Sequence, residues 1–217
     1  MLVKDYMKTD VLTVEEEDSF NSVVNLMKEN RIRHVPVVRK GKVVGIVTES
    51  DIKKASASPA TTLSVYELNY LLDKIRVKDI MTKEVVSAQP DMTLEDAAMT
   101  MRERRIGGLP VVDRKNNLVG IITLTDIVDQ FLDVMGVGAQ GIRLTIEAED
   151  KPGQIFRLAE IIKEYNVNII SLVAPRHENP RLRKIVMRIQ CAEDVDKMVA
   201  EIEQAGFAVL SVIACEK

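Results

Sequence analysis

The chain has 217 residues, of which 46% are hydrophobic and 29% charged, and its net charge is −3. These proportions are typical of a soluble globular protein with one large or two ordinary domains, and the balanced charge excludes a basic nucleic-acid-binding surface. No apolar run could span a bilayer and no signal-peptide core is visible, so we expect a cytoplasmic protein without a membrane partner. Cys191 and Cys215 are the only cysteines and lack metal-ligand spacing, which agrees with a reducing compartment and no metal site.

The first part of the chain predicts a small unit of helices and short strands. Residues 3–13 read as a leading segment that runs into a short strand, VLTV. Apolar residues then recur with helical spacing, which predicts an amphipathic helix. They are Phe20, Val23, Val24 and Met27. HVPVV and VVGIV follow as two strands joined by an RKGK turn, and a second helix begins near Glu49.

The same order of elements then repeats. The stretch 31–51, RIRHVPVVRKGKVVGIVTESD, recurs at 105–126 as RIGGLPVVDRKNNLVGIITLTD. The one inserted residue falls in the predicted turn, where loops tolerate insertion. We therefore predict two copies that pack together as one pseudo-symmetric domain, with the functional cleft between them.

Two linkers and a different pattern complete the chain. Residues 58–76 read as a linker whose second half, from about Ser64, is helical. The glycine-rich segment 136–141 marks a domain boundary. Beyond it, periodicity predicts elements in the order βαββαβ, which is the ferredoxin-like split βαβ arrangement. The expected fold class is α/β (α+β).

The pattern Gly-h-h-Thr-x-x-Asp, in which h is hydrophobic, ends the repeated stretch in both copies, at Thr48 and Asp51 and at Thr123 and Asp126. At a strand-to-helix turn, the helix N-terminus and the hydroxyl suit a phosphate, and the carboxylate can accept two hydrogen bonds from a ribose diol. The same residues also fit a capping box, which needs no ligand. The occurrence of two equivalent copies favours the ligand site, since pseudo-symmetry is expected to bring the turns to a shared cleft.

Both copies resemble cystathionine-β-synthase (CBS) domains. The resemblance rests on R-I-x-x-h-P-V-V followed by h-h-G-h-h-T-x-x-D, preceded each time by M-x-x-x-V-x-(S/T). It implies a tandem CBS pair, or Bateman module, at residues 1–135, with the first CBS motif at 1–57 and the second at 77–135. Such pairs bind adenosyl ligands in two clefts. The resemblance also implies an exposed apolar helical face that pairs with a second chain, with the candidates Phe20, Met27, Met99 and Met101.

The resemblance also implies roles for single residues. Asp51 and Asp126 would hold ribose, and Thr48 and Thr123 would hold phosphate. The adenine pocket would be lined by four positions: Val11, Val85 and the backbone at His34 and Gly108.

The two copies differ at one place, where Arg33 and His34 in the first copy correspond to Gly107 and Gly108 in the second. Arg33 could neutralise phosphate charge, while two glycines would let the backbone approach a base closely. Alternatively, Arg33 and His34 are solvated residues at a strand edge and the glycines form a local turn. A catalytic base at His34 is the less favoured interpretation.

Residues 142–217 resemble an ACT domain, through a strand followed by D-K-P-G-Q and a helix followed by N-V-N-I. The resemblance implies that a small effector, such as an amino acid, binds near Gly153, with Asp150 and Asn168 as further contacts. The alternative is that Asp150 caps a helix with Pro152 in its first turn. In the polar loop 176–181, His177 and Glu178 are either solvated or metal ligands.

A CBS pair followed by an ACT domain resembles the AcuB type of acetoin-utilisation protein. We therefore expect a non-catalytic regulatory protein that forms a homodimer or larger assembly. It would sense AMP, ADP, ATP, NAD or a similar adenine nucleotide as a regulatory ligand rather than a cofactor. The resemblance implies a role in acetoin or related carbon metabolism. The alternative is a nucleotide-processing enzyme that acts at the CBS cleft.

Overall fold

The computed structural model describes residues 1–56, 72 and 74–215. The predicted helix that begins near Ser64 lies outside these residues. The chain divides into two compact units, Met1–Val128 and Asp129–Lys217. Each is described by itself below.

In the first unit, the predicted order of helix, strand, strand and helix is confirmed in both copies. The first copy contains α1 (Phe20–Asn30), β1 (His34–Arg39), β2 (Lys42–Thr48) and α2 (Glu49–Ala55). The second contains α3 (Val77–Ile80), α4 (Leu94–Arg104), β3 (Gly108–Val112), β4 (Leu118–Thr123) and α5 (Leu124–Val134). Both strand pairs are antiparallel hairpins, and both have a register shift two residues after the repeated proline, at Val37/Val38 and Val111/Val112.

The predicted strand VLTV is wrong. Residues 11–14 make a single bridge, in which Val14 pairs with Val37 of β1, and a short 3₁₀ helix at Val3–Asp5 precedes them. Residues 11–13 pair with no strand, so the bridge at Val14 is not extended into a ladder. Val14 is nevertheless a core residue, since it is buried.

The leading segments of the two copies are exchanged. Val3 is buried in the hydrophobic cluster of the second copy, with Leu94 and Leu109, whereas Val77 is buried in the cluster of the first copy, with Val35. Backbone hydrogen bonds fix both segments in place, from Val3 N to Met92 O and from Val77 N to Asp18 O, each 2.9 Å long. Neither copy therefore completes its core alone.

The predicted exposed apolar helical face is largely core. Phe20, Met27 and Met101 are buried, because the apolar stripes of α1 and α4 face their own hairpins. Met99 is the exception and is 49% exposed.

The second unit has the predicted βαββαβ order, and the α/β (α+β) class is confirmed. Its elements are β5 (Gly141–Glu149), α6 (Gln154–Glu164), β6 (Ile169–Val173), β7 (Leu182–Ile189), α7 (Val195–Gln204) and β8 (Ala208–Cys215). The strands form one antiparallel sheet in the order β6-β7-β5-β8. Apolar residues of β5 and β7 pack against Leu158 and Ile162 of α6 and Met198 and Ile202 of α7, which form the core.

Part of the glycine-rich segment is held by the second unit. The Ser171 hydroxyl of β6 donates a hydrogen bond to the Met135 carbonyl (2.9 Å), and an added Cβ at Gly136 would lie 2.8 Å from Ile170. The positive φ of Gly136 (65°) and Gly138 (90°) explains why glycine suits this segment.

Candidate functional site

The two Thr-x-x-Asp turns have the same geometry. In the first, the Thr48 backbone N–H and hydroxyl both donate to Asp51 Oδ2, at 2.9 and 2.6 Å. In the second, the same groups of Thr123 donate to Asp126 Oδ2, at 2.8 and 2.6 Å. The Asp backbone N–H returns to the threonine oxygen at 3.4 Å in both turns. Each turn is therefore a capping box, which fixes the orientation of its carboxylate.

The capping box uses only one of the two oxygens of each carboxylate. Oδ2 carries both intramolecular hydrogen bonds, so Oδ1 is the oxygen that can accept a hydroxyl from a ligand. Among the described residues, Asp51 Oδ1 has no partner, whereas Asp126 Oδ1 lies 3.2 Å from Lys8 Nζ. The cap and the ligand site are thus compatible interpretations of the same residues.

The helix N-termini offer fewer free N–H groups than the sequence suggests. The Glu49 N–H donates to the Arg33 carbonyl (3.1 Å), and the Leu124 N–H donates to the Gly107 carbonyl (3.0 Å). Because the third helical N–H of each turn is directed to the cap, a phosphate would find only part of the first turn available.

The first turn lies in a cleft of about 380 Å³, called the Asp51 cleft here. From the first copy it is lined by Arg33, His34, Ile46, Thr48, Glu49, Ser50, Asp51 and Lys54, and from the second by Thr82, Glu84, Val86, Arg105, Ile106, Gly107 and Gly108. Thr123 and Asp126 are not part of this lining. The two turns therefore belong to separate sites, which corrects the expectation of one shared cleft. The name Asp126 site is used for Thr123, Asp126 and Lys8.

Arg33, His34, Gly107 and Gly108 all meet in the Asp51 cleft. An added Cβ at Gly107 or Gly108 would lie 3.1 Å from atoms of the His34 ring. A side chain at either position would collide with the imidazole, so the two glycines permit the close approach of His34. The alternative of a purely local glycine turn is wrong, because the glycines contact the other copy.

Burial of the imidazole, followed by the positive charge of Arg33, lowers the pKa of His34 below its ordinary value. His34 is therefore neutral near physiological pH. Arg33 itself is 78% exposed and lies 3.6 Å from Glu49, between its Nε and Oε2. Its pairing with Glu49 places the guanidinium at the mouth of the cleft.

The cleft carries charges of both signs. The cations are Arg33, Lys54 and Arg105, and the anions are Glu49, Asp51 and Glu84. Cations at the rim can neutralise a phosphate, and the Asp51 carboxylate can accept hydrogen bonds from a diol. This arrangement suits a ligand that carries both a phosphate and a diol.

Of the four positions predicted to line the adenine pocket, His34 and Gly108 line the Asp51 cleft, whereas Val11 and Val85 are not part of its lining. Val85 and Val11 are half-buried. Glu84 and Val86, the residues on either side of Val85, do line the cleft. Sequence reasoning missed Thr82, Val86 and Lys54. The exchange of the leading segments brings Thr82 to Ile46 of the first copy, and no motif within one copy predicts that. Val86 packs against the core of the second copy and lines the cleft from there.

In the second unit, the structure brings Asp150 and Gly153 together but not Asn168. Asp150 and Gly153 line a cavity of about 360 Å³ with Arg183, whose guanidinium forms a two-pronged ion pair with the Asp150 carboxylate (3.0 Å). Asp150 does not cap α6, which begins after Gly153 with no side-chain cap. Asn168 lies beside a different cavity, near Asn166.

His177 in the polar loop has protein partners. Its Nε2 lies 2.9 Å from Glu147 Oε2, and the Asn179 N–H donates to its Nδ1 (3.0 Å). Over the described ranges, no group of three or more His, Cys, Asp or Glu side chains could hold a metal ion. In the same part of the chain, no helix is long and apolar enough to cross a membrane.

Comparisons with known proteins bear on both units. A model of the CBS domain matches residues 3–58 and 77–133, and a model of a TTHA0829-like ACT domain matches residues 140–213. The CBS pair of protein MJ0100, solved in complex with 5′-methylthioadenosine and S-adenosyl-L-methionine, is 32% identical with a TM-score of 0.51. That match covers 60% of this chain and 95% of that one.

Two further solved structures are similar. An acetoin utilization protein (AcuB) from Vibrio cholerae is 31% identical with a TM-score of 0.52, over 63% of this chain and 93% of that one. CBSX2, solved in complex with AMP, is 28% identical with a TM-score of 0.50, over 60% of this chain and 96% of that one.

Proposed function

We propose that this chain, which belongs to the CBS-domain family and carries an ACT domain after its CBS pair, is a non-catalytic regulatory protein that senses adenosyl ligands. AMP, ADP, ATP, NAD and related compounds are the candidate ligands, and the CBS pair is the sensor. Similar CBS pairs were solved with 5′-methylthioadenosine, S-adenosyl-L-methionine and AMP, which supports this ligand class.

The observation that carries the proposal is the orientation of the Asp51 carboxylate. The capping box holds Oδ2, and Oδ1 remains without a partner among the described residues, in a cleft of about 380 Å³ lined by both copies. A ribose diol that donates to this carboxylate would form charge-assisted hydrogen bonds, each contributing about 1.5–3 kcal/mol.

The test is calorimetric titration of AMP, ATP and NAD into the parent, Asp51→Ala, Asp126→Ala and the double variant. We expect each single change to weaken its own site about 10- to 100-fold. A control exists in α4, where the Thr93 hydroxyl donates to Asp96 Oδ2 (2.7 Å) and accepts from the Asp96 N–H (3.0 Å), and where Asp96 is exposed. Asp96→Ala removes a cap without removing a cleft residue, so it should leave the affinities unchanged.

Two outcomes would contradict the assignment. If the double variant binds all three ligands as the parent does, the aspartates do not hold ribose. If Asp96→Ala weakens binding as much as Asp51→Ala, the loss reflects a destabilised fold. The alternative, a nucleotide-processing enzyme at the cleft, predicts that ATP or NAD is consumed during a day-long incubation, which chromatography would detect.

The ACT domain supplies a second candidate ligand site, for an amino-acid effector in the cavity of about 360 Å³. The N-terminus of α6 has no side-chain cap and could accept an α-carboxylate, while the Asp150 carboxylate could accept the ammonium group. Thermal-shift measurements with the twenty amino acids test this proposal. An effector should raise the melting temperature, and Asp150→Asn should reduce that rise. Asp196→Asn, on the exposed side of α7, is the control. An unchanged melting temperature with all twenty would contradict it.

The cellular role we propose is control of acetoin or related carbon metabolism, since the similar protein from Vibrio cholerae is named for acetoin utilization. A deletion strain should grow more slowly than its parent on acetoin and equally well on glucose. Equal growth on both carbon sources would separate this chain from acetoin metabolism without affecting the ligand proposal.

A further inference from the structure

The Asp51 cleft and the Asp126 site differ at one equivalent position of the leading segments, Thr82 and Lys8. Backbone hydrogen bonds hold the two residues identically. Thr82 exchanges N–H and carbonyl bonds with Ile46 (2.9 and 3.0 Å), and Lys8 exchanges the same bonds with Ile121 (both 2.9 Å). The two main chains therefore make equivalent hydrogen bonds, and at this position the two sites differ only in the side chain.

That side chain acts on the oxygen that a ligand would use. Lys8 Nζ lies 3.2 Å from Asp126 Oδ1, and Asp126 Oδ2 is already held by Thr123. The Asp126 side chain is only 13% exposed, whereas Lys8 is 68% exposed and reaches it from solvent. At the corresponding place Thr82 carries no charge, and Asp51 Oδ1 has no partner among the described residues.

We propose that Lys8 is a specificity-determining residue, which makes the Asp126 site prefer adenosyl ligands that carry a phosphate over neutral ones. The inference rests on the proposed function, because it presumes that both sites take adenosyl ligands. A neutral nucleoside must displace the ammonium group from Asp126 and leaves it without a counter-ion. A nucleotide frees the carboxylate for its diol and supplies the phosphate as the new counter-ion.

The Asp51 cleft has no such requirement. Its ribose carboxylate is open, and its cations, Arg33 and Lys54, lie at the rim rather than on Asp51 Oδ1. A neutral nucleoside can donate to Asp51 without breaking an ion pair. The chain would thus contain one site that is permissive toward ligand charge and one that is selective.

The experiment isolates each site and compares adenosine with AMP, which differ only in the phosphate. In an Asp51→Ala background, Lys8→Thr should lower the ratio of the adenosine Kd to the AMP Kd by about threefold or more, the range of a partly exposed ion pair. In an Asp126→Ala background, Thr82→Lys should raise the same ratio at the Asp51 cleft. Lys4→Thr removes an exposed positive charge from the same segment as Lys8 and should leave both ratios unchanged.

The outcomes separate the two proposals. If AMP binds the Asp126 site and Lys8→Thr leaves the ratio unchanged, or if Lys4→Thr changes it equally, the role of Lys8 is overturned and the sensor function stands. If the parent binds neither adenosine nor AMP, the proposed function fails and the role of Lys8 fails with it. A Lys8→Arg variant keeps the charge and should retain the preference for AMP, which distinguishes selectivity from a folding defect.

Discussion

Gly120 shows how the repeated motif depends on the exchanged leading segments. A Cβ added to Gly120 would lie 2.5 Å from Met7 Sδ and 3.0 Å from the Lys8 carbonyl oxygen, which also accepts the Ile121 N–H. Gly45 meets Met81 in the same way, at 2.5 Å. The glycine of Gly-h-h-Thr-x-x-Asp is therefore required by the close approach of a methionine from the other copy.

We predict that Gly120→Ala lowers the free energy of unfolding by about 1–3 kcal/mol, the usual cost of an overpacked core position. Urea unfolding measures the change. The cost should be smaller in a Met7→Ala background, because the main obstacle to the new methyl group is then absent. Strict additivity of the two substitutions would show that the methionine is not the obstacle.

His34 gives the first unit a pH-dependent stability. Burial lowers the pKa of His34 below the ordinary value of 6.5, so the unfolded chain binds the proton more readily than the folded chain. The contribution is therefore complete above the unfolded pKa and is lost as the pH falls through and below that value.

We predict that His34→Gln, which does not titrate, loses less stability than the parent between about pH 7.5 and about pH 5.5. Unfolding in urea at both pH values measures this, and the difference between parent and variant removes the contribution of other titrating groups. Equal losses in the two proteins would show that His34 is not held neutral.

At the scale of elements, the exchange of leading segments predicts crossed effects. Val77 is fully buried in the cluster of the first copy, and Thr82 of the Asp51 cleft follows it. Val3 is fully buried in the cluster of the second copy, and Lys8 of the Asp126 site follows it. Each core therefore supports the site formed by the turn of that same copy.

We predict that Val77→Ala and Val3→Ala each cost about 2 kcal/mol of stability. Val77→Ala should weaken AMP binding mainly at the Asp51 cleft and Val3→Ala mainly at the Asp126 site. Titrations in the single-site backgrounds Asp126→Ala and Asp51→Ala separate the two. The reverse assignment, with Val77→Ala weakening the Asp126 site, would contradict the exchange.

The sequence predicted the elements better than their arrangement. Helical spacing from Phe20 located α1, and the repeat of the elements predicted α4. Their apolar residues proved to be core because each stripe faces its own hairpin. The exchange of leading segments is a tertiary contact between distant residues, with no local periodicity to reveal it. For the same reason, the meeting of His34 with Gly107 could not be predicted from either copy alone.

At the scale of the molecule, we propose that the chain forms a homodimer or a larger assembly. Both units expose large apolar side chains, which in monomers seldom form extended patches. They include Leu124 and Val128 in the first unit, and Phe131, Leu132, Phe156, Val212 and Ile213 in the second. Phe131 is 42% exposed and Phe156 is 66% exposed.

We predict that light scattering at micromolar concentration gives at least twice the chain mass of 24.3 kDa. Phe131→Glu and Phe156→Glu place a charge in each apolar region, so the variant that lowers the mass identifies the region that associates. Lys163→Glu, in the last turn of α6, changes the charge without burying it and serves as the control. A parent mass of 24.3 kDa would exclude the assembly.

The last prediction concerns coupling between the units, for which α5 provides a covalent route. Asp126 lies in the first turn of α5, and the helix continues past Val128, where the first unit ends, to Val134. The next residue, Met135, accepts the hydrogen bond from Ser171 of β6. A ligand that fixes the Asp126 turn therefore acts on a helix whose following residue is anchored to the ACT sheet. Asp51 instead lies in α2, which ends at Ala55.

We predict that saturating AMP changes hydrogen-exchange protection in β6 of the parent, and that Asp126→Ala abolishes the change while Asp51→Ala preserves it. Ser171→Ala should reduce the change without altering AMP affinity more than about twofold, since coupling free energies are typically 1–3 kcal/mol and the anchor is one hydrogen bond. Because coupling is reciprocal, any effector of the ACT domain should shift AMP affinity by the same factor. If AMP occupies the Asp126 site and protection in β6 stays constant, the glycines after α5 absorb the movement and the two domains are joined without communicating.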